Sequence, residues 1–226
     1  MPLVSTFELL VKQIAPTDNL ESLPVDIAEK LKKVARRVVQ GYFLTIANTT
    51  NSVAPLRIEF TATTPKLNIK DTVIVVDIQG NKFGDLKPTQ DPRKFIVDLK
   101  IPAQDTALVT LLPDLNNLDI LKGVKDLEIR GYVKISRRAL RGPTYDLLVT
   151  PDQRGTFLPN NLNDKLPDFD QIAYALPTAN GGSFLSLKPL FFPGDFVTAQ
   201  VGDNSSLTNN QQELMDLICE RLDNLD

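Results

Sequence analysis

The stretch Leu127-Glu-Ile-Arg-Gly-Tyr-Val-Lys-Ile135 decides the fold. Leu127, Ile129, Val133 and Ile135 alternate with Glu128, Arg130, Tyr132 and Lys134, and Gly131 falls on the apolar side. A period of two with one apolar and one charged face is a half-buried β-strand. Such a strand needs neighbours in a sheet and a second layer against its apolar face.

Working outward, the same period recurs. Strands are expected at Tyr42–Asn48, Leu56–Thr63, Thr72–Gln79, Lys94–Ile101, Thr106–Leu112, Leu127–Ser136 and Thr144–Thr150. Leu56, Ile58 and Phe60 oppose Arg57 and Glu59, while Phe95, Val97, Leu99 and Ile101 oppose Lys94, Asp98 and Lys100. Turn residues separate the runs, as in Gln79-Gly-Asn-Lys, Leu112-Pro-Asp and Arg141-Gly-Pro. Short strands at this spacing, with no helical pattern between them, predict an antiparallel sandwich over residues 41–150.

Before Gly41 the pattern reads as helical. Phe7, Leu10, Val11 and Ile14 stand at i, i+3, i+4, i+7, and Ser5 with Glu8 has capping-box spacing, so a helix is expected over 5–14. A second is expected over 24–38, with Pro24 in its first turn and Ile27, Leu31, Val34 and Val38 as its stripe. Lys30, Lys32, Lys33, Arg36 and Arg37 make that helix basic. It suits peripheral docking on an acidic membrane surface or acidic partner, or a plain cap on one end of the sandwich. The competing reading starts the first strand near Arg36 and makes Gly41 a kink.

Residues 151–207 are rich in proline and asparagine, yet Phe157, Phe169, Tyr174, Phe184, Phe191 and Phe192 are too apolar for a free linker. An irregular wrap over the sandwich is expected, with short strands near 155–158 and 184–190. A short acidic helix over 210–222 follows, carrying Glu213, Asp216 and Glu220 beside Leu214, Leu217 and Ile218. Its charge complements the basic helix, within one chain or across a homodimer. The expected organisation is thus a helical segment at 1–40, the sandwich at 41–150, and the wrap with its helix at 151–226.

Tyr42-Phe-Leu-Thr-Ile-Ala-Asn-Thr-Thr-Asn-Ser followed by Pro55-Leu-Arg-Ile-Glu-Phe resembles the opening hairpin of immunoglobulin-like domains. Ile101-Pro-Ala-Gln-Asp-Thr-Ala-Leu-Val-Thr-Leu resembles a turn and strand midway through them. The resemblance implies a mainly β, immunoglobulin-like sandwich and nothing about activity. The cysteine pair and buried tryptophan of antibody domains are missing, since the chain has one cysteine, Cys219, and no tryptophan.

Composition narrows the function. The chain has no histidine, which removes Ser-His and Cys-His nucleophile pairs and histidine-held zinc. The lone Cys219 excludes an internal disulfide and suits a reducing compartment. A net charge of −3 argues against general nucleic-acid binding. No apolar run is long enough to span a membrane, and the first residues lack a secretion signal, so a cytoplasmic location is expected.

Arg137, Arg138, Arg141 and Arg154 surround one predicted turn and suggest a fork-like site for an anion or partner. Phe191 and Phe192 suggest an aromatic docking surface. Asp164, Asp168 and Asp170 lie in one loop but lack calcium-loop spacing, so no metal is expected, and no cofactor. Asp146 and Asp152 are a carboxylate pair that nothing in their spacing singles out. The expected function is a non-enzymatic protein-binding or scaffolding module. The alternatives are a binder of a small phosphorylated or sugar ligand, then a carboxylate-dependent hydrolase.

Overall fold

Every strand pairing in the computed structural model is antiparallel. The structure describes residues 1–14, 20–64, 67–158 and 170–189. These lie within one compact unit, Met1–Leu190. In chain order the elements are β1 (Leu3–Gln13), α1 (Val25–Val34), β2 (Arg37–Asn48), β3 (Ala54–Thr64), β4 (Thr72–Asp77), β5 (Asn81–Phe83) and β6 (Lys87–Pro88). Then come β7 (Lys94–Ile101), β8 (Thr106–Pro113), α2 (Leu118–Leu121), β9 (Leu127–Arg137), β10 (Tyr145–Phe157), β11 (Gln171–Ala175) and β12 (Phe184–Leu187).

The strands join in the order β5-β4-β8-β2-β1-β9-β3-β7-β6, with β10 on the other edge of β2 and carrying β11 and β12. Along this path β2 and β3 are three strand spacings apart, about 14 Å in a flat sheet. Yet the rings of Tyr42 on β2 and Phe60 on β3 lie 6.1 Å apart, and both touch Phe7 of β1. The sheet therefore curls until its two halves face each other. Between them lies a single core, with Leu44 and Ile46 of β2, Ile58 of β3, Val109 of β8, Ile135 of β9 and Leu147 of β10 fully enclosed. The expected mainly β, antiparallel architecture is what the chain forms.

Gly131 sits opposite Phe7 on one side and Ala62 on the other. A methyl group there would run into the Thr61 carbonyl oxygen and lie 2.6 Å from the Phe7 ring. The missing side chain lets that ring lie across β9 and reach Tyr42.

Three expectations change. The helix over 5–14 is instead strand β1, paired with β9 and β2. Ser5, Phe7, Leu9 and Val11 face inward at a period of two, while Leu10 on the outer face mimics helical spacing. The open edge of β9 supplies the hydrogen bonds that override the local pattern.

The second helix ends at Val34, and β2 begins at Arg37, as the competing reading had it. Gly41 is neither helix stop nor mere kink. It marks where the edge of β2 passes from β1, paired through Gln40, to β8, paired from Tyr42. A side chain at Gly41 would strike Leu112 and the Leu111 carbonyl oxygen, 3.0 Å away. On helix α1 Ala28 turns inward and Leu31 is half-buried, whereas Val25 and Ile27 are 79% and 43% exposed.

The wrap does not begin at 151, because β10 continues through Pro151 to Phe157 along the full length of β2. Proline is tolerated there for a local reason. The Pro151 carbonyl accepts from Leu176 N at 2.8 Å, so the N–H that proline lacks would face the same side, away from β2. That side is the gap between the β12 pairing, which ends at Leu148, and the β11 pairing, which starts at Asp152.

The expected acidic helix, Cys219, Asp164, Asp168, Phe191 and Phe192 lie outside the described residues. No described helix is long and apolar enough to cross a membrane.

Candidate functional site

The four arginines do not converge. Arg137 ends β9 and turns back on its own hairpin, where its guanidinium donates to the carbonyls of Ala139, Arg141 (2.6 Å), Pro143 (3.0 Å) and Leu187 (3.3 Å). Its plane also lies 4.7 Å from the Tyr145 ring centroid. A fork so occupied braces the turn and leaves little to offer an anion. Arg138 is exposed and stands 3.6 Å from Asp98, while Arg141 is exposed on the same loop.

Asp98 also takes two hydrogen bonds from Arg57, at 2.8 and 3.1 Å. Burial opposes its ionisation, but Arg57, with Arg138 and Lys87 beyond, outweighs this and holds the carboxyl below its ordinary range. Arg154 lies nine residues along β10 from Tyr145, roughly 30 Å in an extended strand. It bonds Asp152 at 2.9 Å and covers the Phe43 ring at 4.8 Å. The Arg154 and Phe43 side chains border a shallow hollow of about 400 Å³ on the outer face.

Of the other expected candidates, Asp170 is paired with Arg36 at 2.5 Å. No cluster of three or more metal-ligating side chains occurs among the described residues. Lys30 and Lys32 of α1 are exposed, the latter paired with Glu29 at 3.1 Å.

The more developed site follows from the fork at Gly41. Once β2 turns to β8, the inner edge of β1 is left without a strand over Ser5–Leu9 among the described residues. The chain after β11 crosses beside it, held by Leu176 N to Pro151 O (2.8 Å) and by Ala179 N to Val4 O (2.7 Å). This leaves a hollow of about 430 Å³ lined by Thr6, Arg130, Tyr132, Gln153, Tyr174 and Leu176, among others. A second, of about 520 Å³, adjoins it and shares Thr6 and Tyr132. Both fall within the size range of ligand pockets.

Polar groups line the floor. The alternation that buries Tyr145, Leu147, Val149 and Pro151 on β10 places Gln153 inward too, at 1% exposure. Its Oε1 has no hydrogen-bond partner among the described residues. Nearby, Gln40 Nε2 donates to the Tyr174 hydroxyl at 2.9 Å, and Tyr174 is 48% exposed. Deeper in, the Ser5 and Tyr42 hydroxyls share a 2.9 Å hydrogen bond. Burial pushes the Tyr42 phenol well above its ordinary range, against the smaller pull of Ser5.

The charges along the rim cancel. Arg130 donates to Glu8 at 3.1 Å and also pairs with Glu128, which takes Lys12 as a second cation. Lys134 lies 5.4 Å from the Tyr132 ring centroid.

Sequence reasoning missed Gln153, Gln40, Tyr174 and Tyr132. The signal available was an amide at an inward position of an otherwise apolar alternation, visible in Tyr145-x-Leu-x-Val-x-Pro-x-Gln153 once β10 is allowed to pass through Pro151.

No protein-family model matches the chain, and no curated protein does. Among solved structures it is similar to a collagen-binding domain from a Staphylococcus aureus adhesin, at 9% identity over 61% of this chain and 86% of that one. The TM-score is 0.23, too low to carry an argument about either arrangement or function.

Proposed function

We propose that this chain is a non-enzymatic binding module that holds its ligand in the hollow beside β1. The observation that carries the reading is Gln153: its amide oxygen is one of five buried side-chain atoms without a hydrogen-bond partner among the described residues, and it belongs to a residue lining the hollow. Such a group is destabilising in the free protein and becomes satisfied when the amide turns its oxygen to the hollow and a ligand donates to it. Binding takes precedence over hydrolysis because the carboxylate that lines the hollow, Glu8, is already engaged by Arg130. A cytoplasmic setting belongs to the same proposal and suits the single cysteine.

The test is a thermal-shift screen of small polar ligands against wild type and Gln153→Leu. Saturable stabilisation of wild type that is lost in the variant supports the reading. Equal shifts in both proteins, or none in either, refute it.

A protein partner is a second reading, favoured by α1. Val25 and Ile27 lie open to solvent beside exposed Lys30 and Lys32, a combination suited to an acidic partner with an apolar centre. Here Lys30→Glu with Lys32→Glu would abolish capture of the partner without changing the melting temperature.

A further inference from the structure

We infer that the ligand of the hollow beside β1 is a neutral, hydroxyl-rich ring compound, a saccharide. The inference rests on the hollow being a binding site and narrows its occupant.

Charge excludes the first alternative. Arg130 lines the first hollow and faces the carboxylates of both Glu8 and Glu128, while Lys134 lines the second and lies 3.8 Å from Glu59. A phosphate approaching Arg130 would meet two negative charges already in place, with Lys12 engaged by Glu128 as well. The rim therefore gives no net attraction to an anion, and by the same cancellation none to a cation.

The unpaired groups select the chemistry. The Gln153 oxygen is enclosed beneath the surface of the hollow without a donor; a half-turn of the amide brings it to the hollow, where it accepts and needs an O–H or N–H. The Tyr174 oxygen already accepts from Gln40, which leaves its hydrogen to donate. A ligand suited to both must donate at one point and accept at another nearby, as vicinal hydroxyls do. Thr6, exposed at the rim, offers a third group that does either.

The apolar part of the wall is Tyr132 and Leu176, against which the C–H face of a pyranose ring can lie. Tyr132 and Thr6 belong to both hollows, so the site is long enough for two rings with Tyr132 between them. The occupant is at least a disaccharide.

The full chain would be applied to an array of neutral gluco-, manno-, galacto- and N-acetylglucosamine oligosaccharides. Glucose 6-phosphate and a library of uncharged peptides would be run as parallel arms, and hits titrated by calorimetry. A neutral oligosaccharide should bind saturably and more tightly than its monosaccharide. Gln153→Leu and, independently, the surface changes Tyr132→Ala and Thr6→Ala should each weaken it, Gln153→Leu at least tenfold, with cooperative melting retained. If a sugar phosphate or peptide binds in a Gln153-dependent way and no neutral saccharide does, the saccharide assignment falls while the binding site stands. If every arm is silent, or binding persists in all three variants, both fall.

Discussion

Gln153→Leu removes a buried acceptor and puts an apolar side chain of similar reach in its place. In the folded chain the amide oxygen has lost water and gained no partner, which costs about 1–3 kcal/mol. Leucine at 1% exposure carries no such cost and extends the inward row of Tyr145, Leu147 and Val149. Its branched shape does not retrace a planar amide, and imperfect packing takes back part of the gain, about 1 kcal/mol. The net expectation is a stabilisation of about 1 kcal/mol, or ~2–4 °C in melting temperature for a chain of this size.

Urea unfolding of the two proteins at equal slope would read it as a higher midpoint. Gln153→Glu is the control in the opposite direction, since a carboxylate there is buried without a cation and should lower the midpoint. A leucine variant less stable than wild type by 1 kcal/mol or more, at about the precision of the assay, would refute the reasoning. It would mean that the amide is satisfied in solution and that the hollow has no vacant acceptor. Stabilisation with loss of binding would be a stability–function conflict of the kind binding sites carry.

Other outcomes follow from single contacts. Gly131→Ala drives a methyl into the Thr61 carbonyl between two paired strands; chemical denaturation should show a loss of about 1–3 kcal/mol, and Phe7→Leu should not rescue it, because the carbonyl remains. Arg137→Met unpairs the carbonyls of Ala139, Arg141 and Pro143; it should lower the melting temperature, where Arg138→Met changes it little. Asp98, held below its ordinary range, stabilises the fold above its unfolded value of about 4, and this is lost as pH falls through the lower folded value. Asp98→Asn should therefore cost up to about 1 kcal/mol at pH 7 and nothing in strong acid, as compared by denaturation across that range.

Periodicity made the sheet legible wherever one face of a strand is buried and the other wet. The expected strand at Lys94–Ile101 matches β7 at both ends, and Leu56–Thr63 and Leu127–Ser136 fall within β3 and β9. It misled at β1, where Leu10 on the outer face completes a helical spacing and the deciding contact, β9, lies far along the chain. At Pro151 the missing N–H read as the end of a strand, because the gap between β11 and β12 that accommodates it is a tertiary feature.

The arginines were visible as charges, but not that Arg137 would serve carbonyls of its own turn. Gln153 was overlooked because an amide in sequence does not announce whether its partner exists.

The position of β1 bears on how the chain must be made. The first strand is inserted between β2 and β9, and its hold on β2 is four residue pairs, Leu10–Gln13. The long partnership, Leu3–Val11 with β9, waits until Leu127–Lys134 has been synthesised. At ~5–20 residues per second, translation of the intervening chain takes roughly 6–25 s. Throughout that interval Phe7, Leu9 and Val11 have no β9 to cover them. The nascent chain therefore carries an apolar strand with an open edge, the form of segment that recruits chaperones or other nascent chains. Closure of the sheet is a late, long-range event, which places this fold among the slow folders.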